Sequence, residues 1–392
     1  MPFPYLLVIL IYAAIGLLSA ADASLVSLNL LGAFPALRWV RVHFITLGIL
    51  SQAVFGLLPI LTAALSKKPR PAMRWDIWLL LNAGMVTLIA GMAGMVQPII
   101  LAGGVMVFVA VILLIVQLAN LRGAASSSQK FYLTGLGFLL VGIIIGTGLF
   151  LGWSGPLMIQ IPLETHIHAN TWGFMSLAFA GLLVDLAPSL MGRPLASSKV
   201  ITFIFWAMAV GAFALVVAPW IGGNKPLTLF GIVLHIAATV TLTVALVRGF
   251  RAGGKLNSAG AWHLIGSYAW ILAPVLVAPF IVLGALDGPS IEATAPQALV
   301  YGWMLQFGVA LVPFIARKYF LKQANPELGG CKGTLIAMTL GSALVWASIF
   351  SGAAHGAVYA AGFALYLLAF ARLLKELLEI AQEGMRASNA EI

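Results

Sequence analysis

The chain has 392 residues, of which 62% are hydrophobic and 8% charged, and a formal net charge of +10. So few charges cannot cover a water-exposed surface, which excludes a soluble globular protein and leaves an integral membrane protein. The single cysteine, Cys331, excludes an intrachain disulfide framework or a thiolate metal cluster.

Apolar runs of about 20 residues cross about 30 Å of hydrocarbon. Twelve are predicted, near 4–20, 41–65, 76–97, 98–120, 131–153, 165–188, 199–221, 226–247, 263–285, 296–316, 333–352 and 354–374. The first has small residues from Ser19 to Ala23 that suit a cleavage site, but it lacks a basic start and is read as a spanning helix. The second carries His43, with Arg38 and Arg41 just before it. Small residues such as Gly84, Gly91, Gly94, Gly142, Gly146 and Gly148 read as close helix packing and are assigned no chemistry. The sixth run carries His166 and His168, preceded by Glu164 and followed near its far end by Asp185. His235 lies in the eighth run, His263 at the start of the ninth, Gln297 and Gln306 in the tenth and His355 at the start of the twelfth.

An internal period organises these runs. The stretch from His43 through Thr46 and Gly48 to Ser51 recurs as His168, Thr171, Gly173 and Ser176, and Gly56-Leu57-Leu58 recurs as Gly181-Leu182-Leu183, with 168 − 43 = 125. A weaker third copy sets Gly302, Gln306 and Pro313 against Gly48, Gln52 and Pro59, with 302 − 48 = 254. There Gln297 stands where His43 stood. The fourth run of each set ends in an arginine, Arg122, Arg248 or Arg372. The predicted fold is therefore an all-α membrane protein, one transmembrane domain of twelve helices in three parallel four-helix units with pseudo-threefold symmetry, at about 1–125, 126–252 and 253–392. Short polar loops, Ala124 to Ser128 and Ala252 to Ser258, mark the unit boundaries.

With the N-terminus inside, 21 − 3 = 18 of the Lys and Arg residues fall in inner loops or the C-terminal tail, and only Arg38, Arg41 and Lys225 fall outside. The positive-inside rule then places both termini in the cytoplasm of a plasma (inner) membrane protein. The basic excess reports orientation against an anionic lipid bilayer and predicts no nucleic-acid partner.

On that topology His43, His166, His168, His235 and His355 lie in the outer half and only His263 lies at the inner face, where headgroup contact is expected. Imidazoles at membrane depth are candidate ligands, with hydrogen bonding or packing as the plain alternative. Residues two apart on a helix point about 200° apart, so His166 and His168 are expected to address different neighbours unless His166 lies in the loop before the helix. Arg38 and Arg41 suit either the anionic groups of a bound cofactor or lipid phosphates. Glu164 reads as a solvated acid or a further metal ligand, and Asp185 as a helix-end residue or a proton-entry group.

Twelve spans in three parallel quartets, both termini inside, with histidines near the outer ends of second-in-unit helices, resemble subunit I of the haem-copper oxidase and nitric oxide reductase superfamily. The resemblance covers the whole chain in architecture, and its motifs are specific on the second and sixth runs. It implies an axial haem-ligand role for His43 and a copper-ligand role for His168 or His166. The chain departs from that family at the tenth run, which offers Gln297 and Gln306 instead of a His-x-His, and at the seventh, which has no histidine. A dioxygen-reducing binuclear centre cannot be assembled from these residues, so a working terminal oxidase is not expected. The resulting expectation is a non-respiratory haem-binding protein, with copper as a further cofactor, in haem, copper or nitric oxide physiology. His43 and His168 are the metal candidates; His166, His235, His355, Arg38 and Arg41 complete the cofactor-binding set. Electrons, if used, would arrive from another protein, since no soluble cytochrome domain is fused to the chain. The alternatives are a transporter or permease for a metal or small solute, and a structural assembly subunit.

Overall fold

The computed structural model describes residues 1–121 and 128–390, so Arg122 and residues 124–127 of the first boundary loop lie outside the described residues. Among the described residues there are twelve helices and no strand. They are α1 (Phe3–Ser27), α2 (35–65), α3 (Trp75–Gly94), α4 (Gln97–Leu121), α5 (Gln129–Leu151), α6 (Pro162–Met191), α7 (Ser198–Trp220), α8 (Lys225–Ala252), α9 (Ala259–Val282), α10 (288–319), α11 (Lys332–Ser348) and α12 (His355–Ala390). Eleven are long and apolar enough to cross a membrane by length and composition; α11, with 17 residues, is the short one. The chain is a multi-pass helical membrane protein in contact with lipid.

The helices form for the reason their composition predicts. In hydrocarbon every main-chain N–H and C=O must be satisfied within the segment, and a helix does this without outside partners. Proline sits in the first turn of α2, α6 and α10, as Pro35, Pro162 and Pro289, where its missing N–H would have had no partner. The spacing is regular, 162 − 35 = 127 and 289 − 162 = 127.

Each of these three helices contains a π-helical stretch, Phe44–Leu50, Ala169–Met175 and Val300–Leu305. The starts are 169 − 44 = 125 and 300 − 44 = 256 apart. The second value differs from the sequence offset of 254 by two residues, within the uncertainty of helix-boundary assignment. These are also the interior helices: 78% of the best apolar window of α2, 78% of that of α6 and 100% of that of α10 is buried, against 28% for α3 and α9.

Two kinds of glycine contact recur with the same period. In the first, an aromatic ring from the preceding helix lies directly over a glycine of the π-helical stretch: Tyr12 over Gly48, Phe138 over Gly173 and Trp270 over Gly302. Tyr5 over Gly56 and Tyr132 over Gly181 repeat the contact two turns on. In the second, a helical pair crosses glycine on glycine. A Cβ placed on Gly84 would lie 3.0 Å from the Gly103 carbonyl in α3–α4, one on Gly211 3.1 Å from the Gly231 carbonyl in α7–α8, and one on Gly341 3.0 Å from the Gly362 carbonyl in α11–α12. Such close backbone approach is how helices gain dispersion contact when lipid offers no hydrophobic drive.

By contact the chain separates into two compact units. One comprises residues 1–57, 254–274 and 286–392. Within it α12 packs along α1 and α11, and the π-helical stretches of α2 and α10 touch. The other comprises residues 58–253 and 275–285. Within it α6 packs against α5, α7 and α8.

Candidate functional site

In the second unit the histidines of α6 are anchored to the main chain of neighbouring helices. His166 Nδ1 lies 2.8 Å from the Gly142 carbonyl of α5, and His168 Nδ1 lies 2.6 Å from the Leu215 carbonyl of α7. The two rings thus address different helices, as two positions about 200° apart must. A recess in α5 seats His166: a Cβ on Gly146 would come 2.5 Å from its ring, and Gly142 faces Asn170, whose amide donates to the His166 carbonyl at 2.8 Å. Gly142 and Gly146, read from sequence as packing alone, are what admit the imidazole. Their i, i+4 spacing, matched by His166 and Asn170, was the available signal.

His168 carries Glu164 at 3.8 Å from its Nε2. His168 and His235 both approach the Trp172 ring, at 6.5 and 5.1 Å between centroids. His235 Nε2 donates to the Trp172 carbonyl at 3.3 Å, inside the π-helical stretch, and His235 is 1% exposed. Asp185 lies within α6, six residues before its end at Met191, and accepts the Tyr132 hydroxyl at 2.6 Å.

In the first unit His43 Nδ1 lies 2.8 Å from the Trp39 carbonyl one turn back, and the two rings stack at 4.0 Å and 12°. Arg41, two residues before, faces Asp22 of α1 at 3.9 Å. Arg38 lies in the first segment of α2, and its side chain lies outside the described residues. Near the start of α10 Gln297 accepts the Tyr359 hydroxyl at 2.6 Å, and Tyr359 stacks beneath His355, whose Nδ1 lies 2.9 Å from the Ser348 carbonyl. His263 departs from expectation: it is fully buried, 2.9 Å from Thr334 Oγ1, rather than spread among headgroups. Gly330 leaves room for its ring beneath the loop that leads into α11.

One chemical feature unites four of these residues. A carbonyl oxygen has no proton to give, so in His43, His166, His168 and His355 the Nδ1 is the donor. In the neutral ring the lone pair then sits on Nε2. This is the tautomer that a main-chain carbonyl imposes on metal-ligating histidines. Among the described residues no group of three or more His, Cys, Asp and Glu side chains is placed to hold a metal ion. A bare ion ordinarily takes three or four protein donors, whereas haem iron brings four pyrrole nitrogens and asks the protein for one or two imidazoles. A single imidazole anchored through its Nδ1–H, such as His43 or His168, is the type of donor such a group takes.

No protein-family model matches the chain, and no curated protein matches it. The fold and hydropathy define its class, a polytopic α-helical membrane protein.

Proposed function

We propose that the chain is a haem-binding membrane protein of the oxidase subunit I kind, built without the dioxygen-reducing centre, in which His43 and His168 present Nε2 as axial ligands. The observation that carries this reading is the Nδ1–H bond that both imidazoles make to a main-chain carbonyl. It fixes tautomer and ring orientation together, which a merely space-filling histidine does not require. His166, His235 and His355 are further imidazole candidates of this reading, and Arg41 is a candidate counter-charge for an anionic group. Bound haem supplies a one-electron redox centre and an iron able to take a small ligand. The protein's part is to orient imidazoles, exclude water and hold counter-charges. Copper is the further cofactor of this reading, and non-respiratory haem, copper or nitric oxide physiology is its setting.

The architecture of the reading is three parallel four-helix units about a pseudo-threefold axis, within one transmembrane domain, with both termini cytoplasmic in the plasma membrane. The first-turn prolines, the π-helical stretches and the glycine crossings, each recurring three times near 125–131 residues apart, support it.

The test is the absorption spectrum of the purified protein before and after dithionite. A Soret band that is lost or shifted in His43→Ala and His168→Ala is the expected result. One observation favours a second reading, a permease for a metal or small cationic solute: Glu164, partly exposed, lies 3.8 Å from His168 Nε2. A colourless preparation that binds Cu or Zn, and loses that binding in Glu164→Gln, would replace the haem reading with this one.

A further inference from the structure

From His355 to Ala371, α12 carries no Lys, Arg, Asp or Glu, and from Arg372 onward charges alternate with leucines. Its 36 residues make a helix about 54 Å long against about 30 Å of hydrocarbon, so the charged part emerges among the lipid headgroups. Beside it α1 runs antiparallel: Ser24 Oγ donates to the Ala360 carbonyl at 3.0 Å, and the Phe370 ring lies over Gly16. Between these two helices, within the first unit, is an open groove of about 380 Å³. Its deep end is apolar, formed by Leu17 of α1 with Ala371 and Leu374 of α12. Toward the end of α12 it becomes polar, with Lys375, then Glu379, then Gln382. The Lys375 and Glu379 side chains are 64% and 58% exposed, and their nearest charged atoms are 3.8 Å apart, too far for a hydrogen bond. An exposed pair at that distance holds its two members weakly, so both stay open to a third group.

We propose that this groove seats one phospholipid whose headgroup joins a phosphate to a primary ammonium, the chemistry of phosphatidylethanolamine. The order of groups along α12 matches the order along such a lipid. An acyl chain lies against Leu17, Ala371 and Leu374, the phosphate accepts from the Lys375 ammonium, and the lipid's own ammonium donates to the Glu379 carboxylate and the Gln382 side-chain carbonyl. The lining carries one cation and one anion, so an anionic head without an amine would meet Glu379 as a like charge. A quaternary ammonium has no N–H and cannot make the bonds to Glu379 and Gln382. The groove's volume falls within the range of clefts that take a drug-sized ligand, about 300–1,000 Å³. None of the histidines or arginines of the haem reading lines it, so this inference needs only the membrane class and stands or falls apart from that reading.

The test is thermal unfolding of the purified full-length chain in detergent, titrated separately with dioctanoyl phosphatidylethanolamine, phosphatidylcholine and phosphatidylglycerol. The expected result is a saturable upward shift with phosphatidylethanolamine, at an apparent Kd about fivefold tighter than either of the other two gives. Lys375→Gln is expected to weaken the phosphatidylethanolamine response about fivefold, because the phosphate loses its charged donor. Glu379→Gln is expected to erase the preference over phosphatidylcholine, and Glu379→Lys to move the preference to phosphatidylglycerol. Both side chains are exposed, so these variants test the headgroup and not the fold. Ala371→Trp, which fills the deep end, is expected to weaken all three lipids alike. Equal response of the wild type to phosphatidylethanolamine and phosphatidylcholine overturns the proposal, as does a preference for phosphatidylglycerol, which would make the occupant an anionic lipid. A preference that Glu379→Gln leaves unchanged, or the lack of any saturable shift, overturns it as well.

Discussion

α6 and α10 begin alike, each with a first-turn proline followed by a π-helical stretch, and are filled by opposite means. On α6, imidazoles reach out to carbonyls of α5 and α7, so that main chain holds side chain. On α10, Gln297 is held by another side chain, the Tyr359 hydroxyl, and a few residues on Tyr301 and Gln306 are buried with polar atoms unbonded. Both helices, and α2, contain a π-helical stretch. The stretch is therefore a property of the scaffold, present with or without histidine. What accompanies it in all three is a glycine under an aromatic ring. The chemistry that distinguishes α2 and α6 from α10 is the carbonyl anchor on an imidazole, where α10 has Gln297.

The comparison can be broken most forcefully from the far end of α10. Arg317 donates to Glu376 of α12 at 2.6 Å, and Glu376, 6% exposed, also accepts the Gly330 N–H. Glu376→Gln leaves a guanidinium without its charge partner and is expected to cost about 3–5 kcal/mol in thermal or denaturant unfolding. A loss below about 1 kcal/mol would mean that α10 is not tied down there. Next in size is Gly146→Leu, which drives a side chain into the His166 ring and is expected to cost about 1–3 kcal/mol. If the protein also binds haem, the spectrum of Gly146→Leu reports whether the α5 recess matters to the site. The smallest effects sharpen the α10 side by their opposite signs. Tyr359→Phe strands the Gln297 carbonyl and is expected to destabilise by about 1 kcal/mol, whereas Gln306→Met removes two unbonded amide atoms and is expected to be neutral or stabilising. Equal destabilisation by both would show that the Gln306 amide is satisfied in the membrane.

Most of the fold was legible because hydropathy reports solvent. Where the reading fell short, a tertiary contact had overridden it. The first span was expected near 4–20 and runs to Ser27; Asp22, past the expected end, faces Arg41 of α2 and does not stop the helix. The last was expected near 354–374 and runs to Ala390, because past Arg372 it becomes amphipathic, with Leu373 and Leu377 buried and Lys375 and Glu379 outward. Arg372 therefore does not close that helix as Arg248 nearly closes α8. The divergence of His166 and His168 was readable from helical geometry alone. The burial of His263 was not, since it depends on a loop from beyond α10 folding over it.

What the sequence by itself determined was the count of helices, the spacing at which glycines and histidines recur along them and the places where imidazoles stand, because burial in hydrocarbon and helical spacing are local consequences of residue type. Only the tertiary structure decided which ring nitrogen donates, since in three of the four histidines, His166, His168 and His355, that depends on a carbonyl presented by another helix. It also decided that glycines seat rings and that Arg41 is left loosely paired. Those outcomes turn on distances of a few tenths of an ångström between segments far apart in the chain, and no pattern along one helix encodes them.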